Sequence, residues 1–237
     1  MKHLPVHERF LSFQGEGVHM GRAAFFIRLF GCPLHCPWCD SAGTWHKDYV
    51  PDKVDKFTPA QLVQEVLETE AKFVVITGGE PAIHDLMDLT VLFLSFDIRV
   101  HIETSGAFPL KGMFDWVTVS PKRAKAPLPE VLHLANEFKL IIEGKDDIAY
   151  WMNNFLDGAL LVRAAANKDI NEPAVWLHPE WSKRNDPEVL SIISSTVRDR
   201  GDPFRAGYQL HKLYRADSLD KRTSPLAPLG GNPKLGY

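Results

Sequence analysis

The sequence predicts an α/β fold built on a mostly parallel sheet, and two observations carry that prediction. Short, nearly continuous runs of Val, Ile and Phe alternate with amphipathic stretches along most of the chain, as expected of strands covered on both faces and joined by helical crossovers. Loop-like segments rich in Gly, Ser, Pro and Cys follow several of these runs directly, which is where parallel α/β folds place their chemistry. An open doubly wound sheet and an incomplete βα barrel both satisfy the pattern.

In chain order, strands are expected over residues 23–30, 73–77, 98–103, 116–119, 137–142, 159–163 and 174–177. The clearest helix begins after Thr58, a candidate N-cap, with Pro59 at the first helical position and Gln61 completing a capping box. Leu62, Val63, Val66 and Leu67 then form its apolar face. Further helices are expected over 84–94, 129–136, 147–156 and 186–198. Strand followed by helix, repeated about six times, implies right-handed parallel βα units. From about residue 215 to 237 the chain is rich in Pro and Gly and without period, which reads as a loose tail.

Bulk properties narrow the possibilities. With 237 residues, 45% of them hydrophobic, the chain suits one domain over 1–237. A formal charge of −3 with scattered basic residues offers no footprint for nucleic acid. No apolar run is long enough for a membrane span and the first residues do not read as a signal peptide, so a soluble cytoplasmic protein is expected.

The 3 cysteines all lie between positions 32 and 39. Cys32, Cys36 and Cys39 form CxxxCxxC immediately after a predicted strand, so three soft thiolates from one loop can converge on a metal centre. A cubane held by three cysteines leaves one iron open, and an open iron implies chemistry. Zinc completed by His35, His46 or Asp40 remains the alternative, in a module that binds a macromolecule rather than a substrate.

CxxxCxxC with Trp38 before the last cysteine resembles the signature of the radical S-adenosylmethionine superfamily. ITGGEP at Ile76 to Pro81 is similar to that superfamily's glycine-rich cofactor segment, where glycines permit close backbone approach. Around these landmarks, FQGEG from Phe13, FIRLFGCPLHCPWCDSAGTW, ITGGEPAIHDL, IETSG, VTVSPK and YQLHKL resemble the 7-carboxy-7-deazaguanine synthase family over most of the chain.

That resemblance implies an abbreviated (partial) βα barrel of the radical S-adenosylmethionine type. It implies a carbon–nitrogen lyase of 7-deazapurine (queuosine) biosynthesis that contracts 6-carboxy-5,6,7,8-tetrahydropterin to 7-carboxy-7-deazaguanine with loss of ammonia. Hydrogen abstraction from the pterin C6 by a cofactor-derived radical would start the reaction. It further implies one [4Fe-4S] cluster, S-adenosyl-L-methionine, Mg2+, a homodimer, and an electron donor such as flavodoxin or ferredoxin.

By the same resemblance Cys32, Cys36 and Cys39 hold the cluster and Ser41 holds magnesium through its hydroxyl. Trp38, Cys39, Asp40, Gly79, Ser120, Pro121 and Lys122 match cofactor contacts, and Glu103 and Ser105 lie where the cofactor ribose is expected. Phe13, Gln14, Gly15, Arg28 and Thr77 match substrate contacts, as does the final residue, Tyr237. Arg28 also stands out physically: a cation amid apolar FFIRLF needs a partner if buried, and its fork suits a pterin carboxylate. A glycyl-radical activase shares CxxxCxxC in a comparably small frame, but it needs a protein-docking groove, whereas FQGEG and Arg28 point to a small acidic substrate.

Overall fold

The computed structural model describes residues 3–165 and 173–224. Strand β1 (Leu4–Phe13) lies antiparallel between β2 (Ala23–Leu29) and a short edge strand β3 (Asp55–Phe57). From β2 the sheet continues in parallel through β4 (Phe73–Gly78), β5 (Arg99–Thr104), β6 (Trp116–Val119), β7 (Glu137–Ile142), β8 (Ala174–Pro179) and β9 (Phe204–Ala206). The 9-stranded sheet runs β3-β1-β2-β4-β5-β6-β7-β8-β9, with β3 and β9 at its two edges. This is a partial βα barrel, so the carboxyl ends of its parallel strands share one rim.

Helices α1 (Pro59–Leu67), α2 (Met87–Ser95), α3 (Pro129–Leu134), α4 (Asp146–Trp151), α5 (Asp157–Ala165), α6 (Pro187–Arg200) and α7 (Leu210–Tyr214) make most of the connections and the outer layer. The start of α1 is the expected capping box: the Thr58 hydroxyl accepts from the Gln61 amide, and the Gln61 side chain accepts from the Thr58 amide at 2.8 Å. Asp186 caps α6 in the same way, accepting from Glu188 N and Val189 N. Helix α2 begins later than the expected residue 84, because Pro81–Ile83 makes a separate helical turn and the His84 ring bonds the Phe30 carbonyl oxygen at 2.9 Å.

The expected strand at 159–163 is a correction: those residues lie within α5. A π-helical turn at Met152–Leu156 carries α4 straight into α5, so the apolar Leu-Leu-Val run continues a helix. A short unbroken apolar run has no period that separates strand from helix, and the Ala and Leu around it favour the helix. Strands β1, β3 and β9 were not among the expected elements. β1 reads HERFLSF, with charges among its apolar residues, because only part of each face is covered.

The sheet's two faces differ, and the pleat assigns each residue to one of them. Phe25, Ile27 and Leu29 on β2, Val74 and Ile76 on β4, Val100 and Ile102 on β5, and Phe138, Leu140 and Ile142 on β7 join one apolar core under the helices. The alternate positions face the other way. Phe10, Ala24, Phe26, Phe73 and Val75 form a small second cluster there, and the same face carries polar side chains, among them Arg28, Thr77, Glu103, Thr118, Lys139 and His178. Strands that read as continuously apolar therefore have one apolar face and one polar face that carries the site.

Candidate active site

The loop after β2 carries the three cysteines, all free and half-buried, along one wall of a pocket at the carboxyl rim. Burial raises the Cys32 and Cys36 thiols above their ordinary value, so neither is poised to ionise without a metal. Among the described residues, no three His, Cys, Asp or Glu side chains converge as ligands of a single ion. In a cubane the three thiolates would each ligate a separate iron. The candidate fourth zinc ligands are also engaged elsewhere. The His35 ring stacks on Trp45 at 4.3 Å, His46 lies 3.8 Å from Asp48, and Asp40 bonds Lys212 at 2.8 Å. A loop of three free thiols facing a pocket fits an open-sided iron–sulfur cluster.

The glycine-rich segment is stitched to this loop. Gly79 N donates to Leu29 O and Glu80 N to Gly31 O, at 3.1 and 2.8 Å. A Cβ on Gly79 would stand 2.3 Å from Gly31 O and 2.8 Å from the Cys32 Cβ. Glycine is thus required for two backbones to touch beneath the cysteines, and that close approach leaves Gly79 on the pocket wall. Glu80, 1% exposed, then ties this loop to the one after β5: its carboxylate accepts from Ala82 N (2.9 Å), Thr104 Oγ1 (2.6 Å), Ser105 N (2.8 Å) and the Ser105 hydroxyl.

The residues expected around the cofactor line the same pocket, with exceptions. Trp38, Asp40, Ser41, Glu103, Ser120 and Lys122 border it. Lys122 donates to Ser120 Oγ at 2.7 Å, its ammonium lies 5.3 Å from the Trp38 ring centroid, and burial lowers its pKa. Ser105 also borders the pocket, but its hydroxyl is turned onto Glu80. Pro121 is buried and does not border the pocket. The Ser41 hydroxyl lies 3.4 Å from Gly78 O and 3.6 Å from Cys39 Sγ.

The opposite wall is a charged network. Arg28 Nε donates to Glu8 Oε1 at 2.6 Å, across the antiparallel β1/β2 pair, and Glu8 keeps the guanidinium charged more firmly than usual despite burial. Gln14 Nε2 donates to Glu103 Oε1 at 2.8 Å, and Thr77 Oγ1 to Glu103 Oε2 at 3.4 Å. Lys139 forms an ion pair with Glu16 and lies 4.0 Å from Glu103. Burial opposes the Glu16 charge, but Lys139 outweighs it and holds that carboxyl well below the usual range. Lys139 is in turn held above its ordinary value, chiefly by Glu16, against burial. His178 is 1% exposed, has no hydrogen-bond partner on either ring nitrogen among the described residues, and is pushed down to about 4 by burial.

Helix α7 closes the site from the side. Leu210 N donates to Gly15 O at 3.0 Å, and a Cβ on Gly15 would stand 2.0 Å from His211 Nδ1. Glycine at 15 is what lets α7 lie on the FQGEG segment. Phe13 meets Tyr214 edge-on at 5.9 Å, so Phe13 and Gly15 seat the helix and do not border the pocket. Lys212 reaches Asp40 beside the third cysteine; partial burial would raise that carboxyl, but Lys212 holds it below the usual range. The start of the expected loose tail is ordered: Asp217 accepts from Ser12 Oγ at 2.6 Å, Asp220 from Leu11 N at 2.9 Å, and Ser224 N donates to Glu8 at 2.7 Å. Tyr237 lies outside the described residues.

Glu16, Glu80, Lys139 and His178 were not singled out in the sequence. The signal was present for His178, a lone polar residue in an apolar strand as Arg28 is, and for Lys139, a cation flanked by Phe138 and Leu140. Glu16 and Glu80 stood inside motifs read for their glycines.

The Radical SAM superfamily model matches residues 26–125. A 7-carboxy-7-deazaguanine synthase from Synechocystis is 49% identical over 143 residues, 60% of this chain and 67% of its own length. One from Flavobacterium psychrophilum is 36% identical over 88% of this chain and 90% of its own length. The crystal structure of QueE from Escherichia coli superposes with a TM-score of 0.69 at 31% identity, over 88% of this chain and 95% of that one. With the three-cysteine loop, the glycine-rich segment and the polar sheet face in one pocket, this chain belongs to the 7-carboxy-7-deazaguanine synthase family of radical S-adenosylmethionine enzymes.

Proposed function

We propose that this protein contracts 6-carboxy-5,6,7,8-tetrahydropterin to 7-carboxy-7-deazaguanine with loss of ammonia. The observation that carries the reading is a single pocket in which three free thiols on one wall face Arg28, Gln14 and Glu103 on the other. Cys32, Cys36 and Cys39 would hold the [4Fe-4S] cluster, with S-adenosylmethionine seated between Gly79, Trp38, Ser120 and Lys122. Bound there, cluster and cofactor supply hydrogen-atom abstraction, and the protein supplies orientation and shielding.

Arg28 already has its Nε satisfied by Glu8, which leaves its terminal nitrogens for the pterin carboxylate. Glu103, oriented by Gln14 and Thr77, accepts from the N–H groups of the heterocycle, and Lys139 keeps the Glu16 carboxylate charged. Helix α7 excludes water by closing over the FQGEG segment, and the chain works as one domain. The Ser41 hydroxyl, beside Gly78 O, serves as one ligand of Mg2+ whose remaining positions are taken by water and substrate. The enzyme acts in the cytoplasm as a homodimer and receives electrons from flavodoxin or ferredoxin. Among the described residues no helix is long and apolar enough to cross a membrane.

Anaerobically reconstituted, reduced protein incubated with the carboxytetrahydropterin and S-adenosylmethionine is expected to yield 7-carboxy-7-deazaguanine and ammonia in equal amounts, with no stoichiometric consumption of S-adenosylmethionine, because the ring contraction is redox-neutral and the abstracted hydrogen is returned. Cofactor cleavage to 5′-deoxyadenosine without deazapurine would refute the substrate; neither deazapurine nor 5′-deoxyadenosine would refute the chemistry.

A further inference from the structure

Trp45 borders the pocket but has no part in the scheme above. The short helical turn Ala42–Thr44 ends on it, and Trp45 N donates to Ala42 O at 3.0 Å. Its indole lies nearly flat against His35, with rings 4.3 Å apart and 12° from parallel, and His35 holds a left-handed φ of 52° in the loop between the cysteines. The stack fixes the in-plane direction of the indole, and its Nε1–H points at Cys39 Sγ at 3.4 Å, within hydrogen-bonding distance for sulfur.

We propose that the Trp45 indole N–H is a dedicated hydrogen-bond donor to the cluster ligand Cys39 and raises the reduction potential of the cluster. The inference rests on the iron–sulfur reading of the cysteine loop. Its physical basis is charge: reduction adds one electron to the cluster, part of that charge lies on the sulfurs, and a donor aimed at a ligating sulfur stabilises the reduced form more than the oxidised one. The electron comes from a low-potential one-electron donor, the indole keeps its proton, and no covalent bond forms or breaks. Indole suits the task because it only donates and does not titrate over the working pH range. Trp45 is therefore a positioning residue that acts through Cys39.

The test compares reconstituted wild type with Trp45→Phe, which keeps an aromatic ring against His35 and removes only the donor. Potentials are read by redox titration with EPR detection of the reduced cluster. The variant is expected to be about three- to tenfold harder to reduce at equilibrium, where tenfold corresponds to ~59 mV for one electron. A second measurement needs no variant: wild type labelled with 15N at the indole nitrogen is expected to show a weak 15N coupling to the reduced cluster. Equal potentials together with no 15N coupling overturn the inference while leaving the cluster assignment standing. If Trp45→Phe fails to hold a cluster, the coupling alone decides, its presence supporting the bond and its absence overturning it. A wild-type chain that takes up no cluster overturns the family reading and this inference with it.

Discussion

Glu80→Ala is expected to destabilise the protein by about 3–5 kcal/mol. The Glu80 carboxylate accepts four hydrogen bonds at 1% exposure, from two backbone amides and two hydroxyls on the loops after β4 and β5. On truncation the Thr104 and Ser105 hydroxyls can rotate toward one another or to nearby carbonyl oxygens. The amides of Ala82 and Ser105 cannot rotate, and each buried, unsatisfied donor costs ~1–3 kcal/mol. A cavity the size of the lost side chain adds to that. Glu80→Gln keeps the volume and one acceptor but turns an NH2 group toward a donor, so about half the loss is expected. Urea unfolding of anaerobically purified wild type and both variants, followed by circular dichroism, measures the differences. A loss below ~1 kcal/mol for Glu80→Ala, with an unchanged denaturant slope, would show that these loops do not depend on the carboxylate.

Three further outcomes are expected. Stability should fall on the acid side, because Glu16 and His178 both have folded pKa values below their unfolded ones, so the unfolded chain binds more protons. The His178 share is fully present above its unfolded value of ~6.5, is lost as pH falls through about 4, and amounts to roughly 3 kcal/mol at ~1.4 kcal/mol per pH unit. Urea midpoints between pH 3 and 8 should show this slope, and His178→Gln should flatten it between pH 4 and 6.5; a flat wild-type profile there contradicts the assignment. Wild type should carry about four irons per chain and Cys36→Ala none in stable form, and a normal cluster in that variant would mean the ligand set is wrong. Arg28→Lys should raise KM for the pterin roughly tenfold with little change in kcat, since a lysine cannot make the bidentate contact; an unchanged KM would remove Arg28 from the substrate site.

The chemistry of the rim was legible in the sequence because it is local. CxxxCxxC, TGGEP, ETSG and SPK each follow a strand closely, and parallel strands bring their carboxyl ends to one edge, so the predicted loops had to meet. The Thr58 cap was legible for the same reason, since its partners lie within three residues. What failed locally failed for lack of period: the run at 159–163 is too short for its periodicity to separate strand from helix, its Ala and Leu tilt only weakly to helix, and the continuation of α4 through the π turn decides it.

The three cysteines, their order and their soft donor chemistry were thus determined by the sequence alone, as was the alternation that builds a parallel sheet. The charged wall facing them was decided only by the tertiary structure. Glu16 and Lys139 are 123 positions apart, and Asp40 and Lys212 are 172 apart. No spacing rule couples residues at such separations. They meet because the pleat turns alternate side chains to the face away from the helices, and because α7 packs back onto a glycine that leaves room for it. Burial in that pocket then shifts their charges, and burial is a property of the folded chain.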